Sequence, residues 1–366
     1  MTQTRDFALL YLWGVLVVVG VLALASVSVH VFDAWVNKWL LRHLAYVALS
    51  AAALGVFYAL PTQPFYQFHR VGWLVALLFA AAVLVPGIGI AEGGSRRWIP
   101  LHFFTLQVSE VIKPLLIVFV AGYLAKNYES VQRSLGPLLL VLFAVGVVLA
   151  LVFVEPDYGT VAIMGLVVVG MLFMANARMS HLLLLGSFAL TGIGALLAVE
   201  PYRVARLMTL LSPWDEEIRL NEGYQLTNSL IAFARGEVTG TGLGTGLQKT
   251  FTPASHNDFI FATIAEETGL LGATLVLVLI LALVYKLGKI ARKAMQLDQH
   301  FESLFCYGVA LLIGFQALIH IGVNAGVFPT KGLTLPFMSY GGNSLVILSA
   351  LVGMALKIHR DQMNAS

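Results

Sequence analysis

The sequence predicts an all-α integral membrane protein: a polytopic bundle of ten transmembrane helices, with a long extracytoplasmic loop between helices 7 and 8. Three observations carry this. Of 366 residues, 59% are hydrophobic and only 11% are charged, whereas a soluble domain carries about 25% charged residues. Mean hydropathy is +0.86. Ten apolar segments reach the length needed to cross a bilayer, about 20 residues each.

Those segments are 7–31, 39–60, 71–91, 107–125, 136–154, 159–176, 181–199, 259–285, 301–327 and 336–357. The first is too long for the core of a signal peptide and lacks a convincing cleavage site, so it reads as a retained span. An even number of spans puts both termini on one side. With cytoplasmic termini, the inside segments hold Arg5, Arg70, Lys126, Arg133, Arg178, Lys286, Lys289, Arg292, Lys293, Lys357 and Arg360. The short outside segments hold Lys38, Arg42, Arg96, Arg97 and Lys331. The excess of Lys and Arg inside fixes the orientation, and 286–293 is the strongest anchor.

No sequence repeat is evident, so residues 1–366 form a single transmembrane domain, with 200–257 as a long extracytoplasmic loop within it. Inside that loop, "YRVARLMTLLSPW" and "YQLTNSLIAFARG" place apolar residues at helical spacing. They read as interfacial helices, with Tyr202, Trp214 and Tyr224 near the headgroups, or as a lid packed on the bundle. The net charge of +3, with no basic run interleaved with aromatics, gives no reason to expect a nucleic-acid partner. One cysteine, Cys306, excludes an intramolecular disulfide and a cysteine metal cluster.

Several polar groups stand out against this apolar background. "HNDFIFATIAEETG" brings Asp258, Glu266 and Glu267 to the mouth of span eight, where charge is costly. On a continuous helix, the Asp258 face runs through the small residues Ala262, Ala265, Gly269 and Gly272, and Glu267 points the opposite way. For Asp258, helix capping competes with chemistry. For the glutamates, an interfacial or capping role does. Arg96 and Arg97 beside Trp98 read either as a paired phosphate grip or as a solvated interfacial pair. Glu110 and Lys113 form an i, i+3 ion pair, functional or structural, and Pro114 should kink that helix. In "FVEPDYGT", Glu155 and Asp157 suit a cation, a basic partner or a helix start with Pro156 at its first position. Gln316, His320 and Asn324 make one polar stripe on span nine. No second His or Cys stands at metal-ligand spacing, so no zinc site is expected. "GTGLGTG" lacks a preceding strand and reads as a hinge rather than a dinucleotide loop. "FPTKGLTLPFMSYGGNS" breaks the backbone at membrane depth, which requires protein or a wet cavity around it. Together these groups fit a lipid-linked anionic substrate. They do not choose between polymerising it and moving it.

The motifs "GSRRWI", "QVSEVIK", "EPDYGT", "GYQLTNSLIAFARGE", "GTGLGTGLQK", "HNDFIFATIAEETG" and "PTKGLTLPFMSYGGNS" resemble, in order, those of the SEDS family (shape, elongation, division and sporulation). The similarity is closer to its FtsW branch than to its RodA branch. It implies a ten-helix glycosyltransferase that polymerises lipid II into glycan strands at the outer leaflet. The setting would be septal wall synthesis in the bacterial inner membrane, at the division septum. Implied partners are a class B penicillin-binding protein (an FtsI-type transpeptidase), the FtsQLB complex and FtsN. Asp258 falls on the family's essential aspartate and would be the catalytic base. Arg96, Arg97 and Lys113 would stabilise the departing diphosphate. Glu110, Lys331 and His256 would complete the substrate-binding set. No protein metal site is expected, although a divalent cation, Mg or Mn, could share the charge stabilisation. The alternatives are a lipid II flippase and a non-catalytic scaffold for the transpeptidase. Ala254, Asn257, His320, Pro114 and Asn343 depart from the usual family pattern.

Overall fold

The computed structural model describes residues 7–32, 38–92, 95–101, 104–184, 186–187, 210–221, 223–329 and 332–364. The chain is a helical membrane bundle, and seven described helices are long and apolar enough to cross a membrane. They are α1 (Ala8–Phe32), α2 (Lys38–Ala59), α5 (Val108–Lys126), α7 (Leu135–Val154), α12 (Ile260–Gln296), α13 (His300–Asn324) and α14 (Gly342–Asn364). Two shorter apolar helices, α4 (His69–Leu84) and α8 (Tyr158–Met174), follow the same pattern. Short helices α3 (Gln63–Gln67) and α6 (Tyr128–Arg133) join neighbours. Nine of the ten predicted spans thus coincide with described helices. The other, 181–199, lies mostly outside the described residues, as do Tyr202 and Lys331.

Packing sorts the helices by surroundings. α5, α13 and α14 are mostly buried, whereas α1, α2, α7 and α12 expose most of their length. The exposed faces are apolar, as at Leu139, Leu140 and Phe143 on α7 and Leu270, Leu271 and Leu275 on α12. Such faces suit hydrocarbon, because a helix satisfies its backbone internally. α14 packs on α2, α12 on α1 and α13, and α13 also on α5 and α8.

Three expectations change. Residues 90–107 are not simple loop: β1 (Ile90–Glu92), β2 (Ser95–Pro100) and β3 (Thr105–Gln107) form an antiparallel sheet ordered β1-β2-β3. The sheet shortens the third span, whose helix ends at Leu84. Second, the described part of the long loop packs on the bundle, whereas most of "YRVARLMTLLSPW" lies outside the described residues. The described part forms α9 (Glu216–Leu220), α10 (Tyr224–Gly236) and α11 (Gln248–Phe251). α10 packs on α12 and buries Leu226, Thr227, Ser229 and Ala232, which is the packed-lid alternative.

Third, the eighth span is not one continuous helix. Gly269 takes φ 66°, ψ −166° and breaks α12. The glycine loop after α10 enters this break. Thr241 and Gly242 donate backbone N–H bonds to the carbonyls of Glu266 and Glu267, at 3.0 Å each. Leu270 and Leu271 donate to the carbonyls of Glu237 and Val238, at 2.9 and 3.2 Å. The loop therefore satisfies backbone groups that the break releases. A Cβ on Gly269 would stand 2.4 Å from the Gly240 nitrogen, so only glycine permits the approach. "GTGLGTG" is a plug rather than a hinge.

Candidate active site

The site is assembled where the irregular segments meet at one end of the bundle. α12 begins at Ile260, with Phe259 as N-cap and no side-chain cap bond. Asp258 thus lies in the turn before the helix, not on the small-residue face expected for it. Ala254 turns the chain with φ 56°, and its carbonyl accepts from the nitrogens of Asn257 and Asp258 at 2.9 and 3.1 Å.

Neighbouring elements hold this turn through its backbone. Asn324, at the end of α13, donates from Nδ2 to the Asp258 carbonyl at 2.8 Å. Its Oδ1 accepts the Ala262 N–H at 3.1 Å. Asn324 therefore supplies, from another helix, the cap that α12 lacks. Ser339 donates to the Asn257 carbonyl at 2.8 Å, and the Tyr340 N–H donates to the His256 carbonyl at 3.0 Å.

The rest of the polar stripe fixes the segment that faces Asp258. His320 Nδ1 donates to the Leu333 carbonyl at 2.7 Å. Gln316 Nε2 donates to the Thr334 carbonyl and hydroxyl at 3.0 and 3.1 Å. A Cβ on Gly332 would stand 3.3 Å from Asp258 Oδ2, so glycine keeps the approach to the carboxylate open. The stripe faces the bundle interior, as expected, and its targets are the backbone on both sides of Asp258.

Unlike its backbone, the Asp258 carboxylate makes no hydrogen bond or ion pair among the described residues. Burial pushes its pKa up to about 6, and the positive charge of Arg97 partly opposes the shift. Arg97 also reaches Asp157 Oδ2 at 3.7 Å. Asp157 is itself the N-cap of α8, accepting from Thr160 N and Oγ1 at 3.1 and 3.0 Å. Pro156 is therefore not the first helical residue. Buried Glu155 has no hydrogen-bond partner for either carboxyl oxygen among the described residues. Burial and Asp157 raise its pKa to about 8, against the opposing charge of Arg97.

The sequence-predicted residues now separate. Arg97 and Asp258 share one electrostatic environment. Arg96 does not grip with Arg97, because successive residues on β2 point to opposite faces. Arg96 is exposed, and Arg97 turns inward. His256 is half-buried against Trp39 and Tyr340, with ring centroids 5.2 and 5.9 Å away. Burial lowers its pKa. Lys113 is deeply buried and donates to Glu110 Oε1 at 2.7 Å and to Gln316 Oε1 at 3.4 Å. The pair thus joins the stripe beneath the site.

Glu266 and Glu267 are spent on structure. Glu266 accepts from Leu247 N and Gln248 N and forms an ion pair with Arg235, at 3.0 Å each. Glu267 pairs with buried Lys249 and accepts from Ser26 on α1. Sequence reasoning found the stripe but missed Asn324 as the anchor of Asp258, Ser339 as its counterpart, and the Trp39–Tyr340 wall. The i+4 spacing of the stripe signals an interior face, and nothing local signals the partners.

At one end of the bundle, a half-buried carboxylate with no partner among the described residues is held by its backbone in the field of Arg97. This defines a polytopic membrane protein with a polar site at its end. The chain belongs to the FtsW/RodA/SpoVE family, whose model, described as a cell cycle protein, matches residues 6–364. It is 40% identical to a "Probable peptidoglycan glycosyltransferase FtsW" of Hahella chejuensis, covering 99% of this chain and 92% of that one. It is 42% identical to the protein of the same description from Halomonas elongata, covering 96% and 89%. Among solved structures it resembles a chain of "Structural coordination of polymerization and crosslinking by a peptidoglycan synthase complex", with TM-score 0.81, 26% identity and coverage of 98% and 99%. It also resembles the rod shape determining protein RodA of Thermus thermophilus, with TM-score 0.72, 26% identity and coverage of 99% and 98%.

Proposed function

We propose that the chain is a peptidoglycan glycosyltransferase that polymerises lipid II, with Asp258 as general base. The observation that carries this is the Asp258 carboxylate, half-buried, without a partner among the described residues and held by its backbone. With a pKa near 6 it is mostly ionised at neutral pH, yet still basic enough to take a proton efficiently. Asp258 removes the proton of the acceptor sugar 4-hydroxyl as that oxygen attacks the donor anomeric carbon. The bond to the diphosphate breaks, and undecaprenyl diphosphate leaves. Arg97 is the cation closest in effect to Asp258 and stabilises the departing charge. Exposed Arg96 is left to contact substrate at the rim, and Lys331, outside the described residues, is kept in the substrate-binding set on the resemblance alone. Lys113, Glu110 and His256 act by shaping the site.

A divalent cation (Mg or Mn) finds no convergent set of three His, Cys, Asp or Glu among the described residues. Asp157 is engaged by its cap and by Arg97. The proposed step runs through protein groups.

A polymerase reading is favoured over a flippase by what lies beyond the polar stripe. The buried residues that continue α13 are Ile313, Leu312, Val309, Cys306 and Phe305, and those that continue α5 are Leu116, Ile117, Val120 and Leu124. A headgroup crossing the bundle there would meet a dry apolar plug. The setting we propose is the division septum, with cytoplasmic termini and Asp258 outside. The partners are a class B penicillin-binding protein of the FtsI type, regulated by FtsQLB and FtsN. The synthase-complex neighbour supports a crosslinking partner.

The test is glycan-chain assembly from purified lipid II, with the partner transpeptidase blocked. Wild type is expected to make polymer and Asp258→Asn none. Equal polymer from both overturns the base assignment. No polymer from wild type with its partners present favours the scaffold or flippase.

A further inference from the structure

One fully buried acid has no part in the step described above. Glu155 is the C-cap of α7 and Asp157 the N-cap of α8, so Glu-Pro-Asp packs two carboxyl groups into one turn. Neither carboxyl oxygen of Glu155 has a hydrogen-bond partner among the described residues. We propose that Glu155 is a positioning residue for the glycosyl transfer and acts through Arg97. This role rests on the polymerase reading and deepens it.

Packing ties this turn to the site. Gly159, in the first turn of α8, lies against Leu333, and a Cβ there would stand 3.1 Å from Leu333 Cδ2. Leu333 directly follows Gly332, the residue that borders the Asp258 carboxylate. Arg97 enters the same place from β2. Its Nη1 lies 3.7 Å from Asp157 Oδ2, and its buried Nε has no hydrogen-bond partner among the described residues. The Arg97 side chain is 23% exposed, so it is held at the turn without being sealed in.

Charge then assigns the role. An ionised Glu155 would stand in a dry place beside a second carboxylate, with no donor among the described residues to solvate it. A group so placed keeps its proton. Its pKa is accordingly raised to about 8, by burial first and by Asp157 second, against the opposing charge of Arg97. Asp157 and Arg97 are the charged groups that act on Glu155, and Arg97 also acts on Asp258. Such coupling is reciprocal. As a neutral acid, Glu155 leaves Arg97 to the base and to the departing diphosphate. Once ionised, it draws Arg97 toward the turn and lowers the positive potential at the site. A glutamate that only filled space would leave the reaction indifferent to its proton.

The experiment measures kcat/KM for polymer formation by the full chain, with its transpeptidase partner present but blocked, from pH 7 to pH 9. Binding of farnesyl diphosphate, a short prenyl diphosphate, is measured over the same range. Wild type is expected to lose about tenfold in kcat/KM, the change in protonated fraction of a free-enzyme group that titrates near 8. Its affinity for farnesyl diphosphate should fall alongside. Glu155→Gln, a permanently neutral isostere, should remove both declines. Asp157→Asn keeps Glu155 but takes away the anion beside it, so the declines should begin at lower pH. This second variant decides the matter if the melting temperature shows Glu155→Gln to be misfolded. Parallel profiles in wild type and Glu155→Gln overturn the proposal, as does a folded Glu155→Gln that is inactive at every pH, or an unmoved midpoint in Asp157→Asn. A wild type that makes no polymer, yet binds farnesyl diphosphate with the Glu155-dependent decline, overturns the polymerase reading and keeps the coupling to Arg97.

Discussion

Asp258 and the Glu266–Glu267 pair stand close together in sequence, at the start of one helix, and are treated in opposite ways. Asp258 is fixed through its backbone, by Asn324 and the Ala254 turn, and its carboxylate is left open. Both glutamates are paired through their carboxylates, with loop N–H groups and Arg235 in one case and with Lys249 and Ser26 in the other. All three are acids withdrawn from solvent at a membrane helix, Asp258 half-buried and the glutamates fully, so the presence of charge does not separate chemistry from architecture. Whether the charged atoms are already spent does.

The sharpest way to break the contrast is Asp258→Asn. If the carboxylate is the base, polymer synthesis falls by about two to four orders of magnitude, while the fold is kept because the backbone contacts remain. The pH profile follows from the raised pKa. Activity requires the ionised form, so the rate falls as pH drops through about 6. Stability runs the other way. Between the ordinary value of 3.8 and about 6, the folded protein holds a proton that the unfolded chain has lost. Stability therefore declines as pH rises across that window and stays lower above it. Asp258→Asn should flatten the decline, giving a variant that melts higher than wild type at pH 7 and makes no polymer. A lower melting temperature would place Asp258 with the structural acids.

Glu267→Gln should do the reverse. It leaves the Lys249 ammonium buried without its counter-charge, a loss of about 3–5 kcal/mol, seen as a large drop in melting temperature. Replacing both partners by apolar residues, Lys249→Met/Glu267→Leu, should recover most of it. Failure of the double variant to recover would mean that the pair does more than neutralise itself. Asn324→Ala lies between the two classes, because its side chain is spent but on Asp258's own carbonyl. It should cost about 1–3 kcal/mol for the unsatisfied buried groups. It should also move the pH midpoint of activity, which a purely structural loss would not do.

Much of this was legible in the sequence. Apolar runs gave the spans, because a helix in lipid must be apolar along its exposed face, and the ends of α2, α5, α7 and α8 fall within two residues of the expected ones. The stripe of Gln316, His320 and Asn324 stood out because polar groups at membrane depth need partners. Asp258 stood out as a charge at the mouth of a span, and Arg97 as one of two arginines beside a tryptophan. What was hidden depends on tertiary pairing. The strands at 90–107 are too short to show a period of two, and they put Arg96 and Arg97 on opposite faces. The break at Gly269 sits in an apolar run that reads as helix, and only the distant glycine loop makes it affordable. Helical-wheel geometry failed for Asp258 because the helix starts two residues after it.

The smallest effect tests how the two regions are built. Around the glutamates, positive φ falls on Gly240, Gly242, Gly244 and Gly269, and on one residue with a side chain, Glu237, at 44°. Beside Asp258 the same region of φ is occupied by Ala254, at 56°, and by Phe337, at 66°. A Cβ in that conformation costs roughly 1–2 kcal/mol. The plug meets this cost mostly with glycines and bears it at Glu237 alone, whereas the turn that presents the base carries it at Ala254, and Asn324, Ser339 and the backbone bonds to Ala254 hold that turn in place. Ala254→Gly removes the clash but gives the unfolded chain more freedom, which takes back about 0.5–1 kcal/mol. The net gain should be no more than about 1 kcal/mol, a rise of a few degrees at most in melting temperature. Activity should not rise with it, because glycine also loosens the turn that aims the carboxylate. A stabilised variant with full or higher activity would show that the anchors alone position Asp258 and that the strain at Ala254 contributes nothing to its placement.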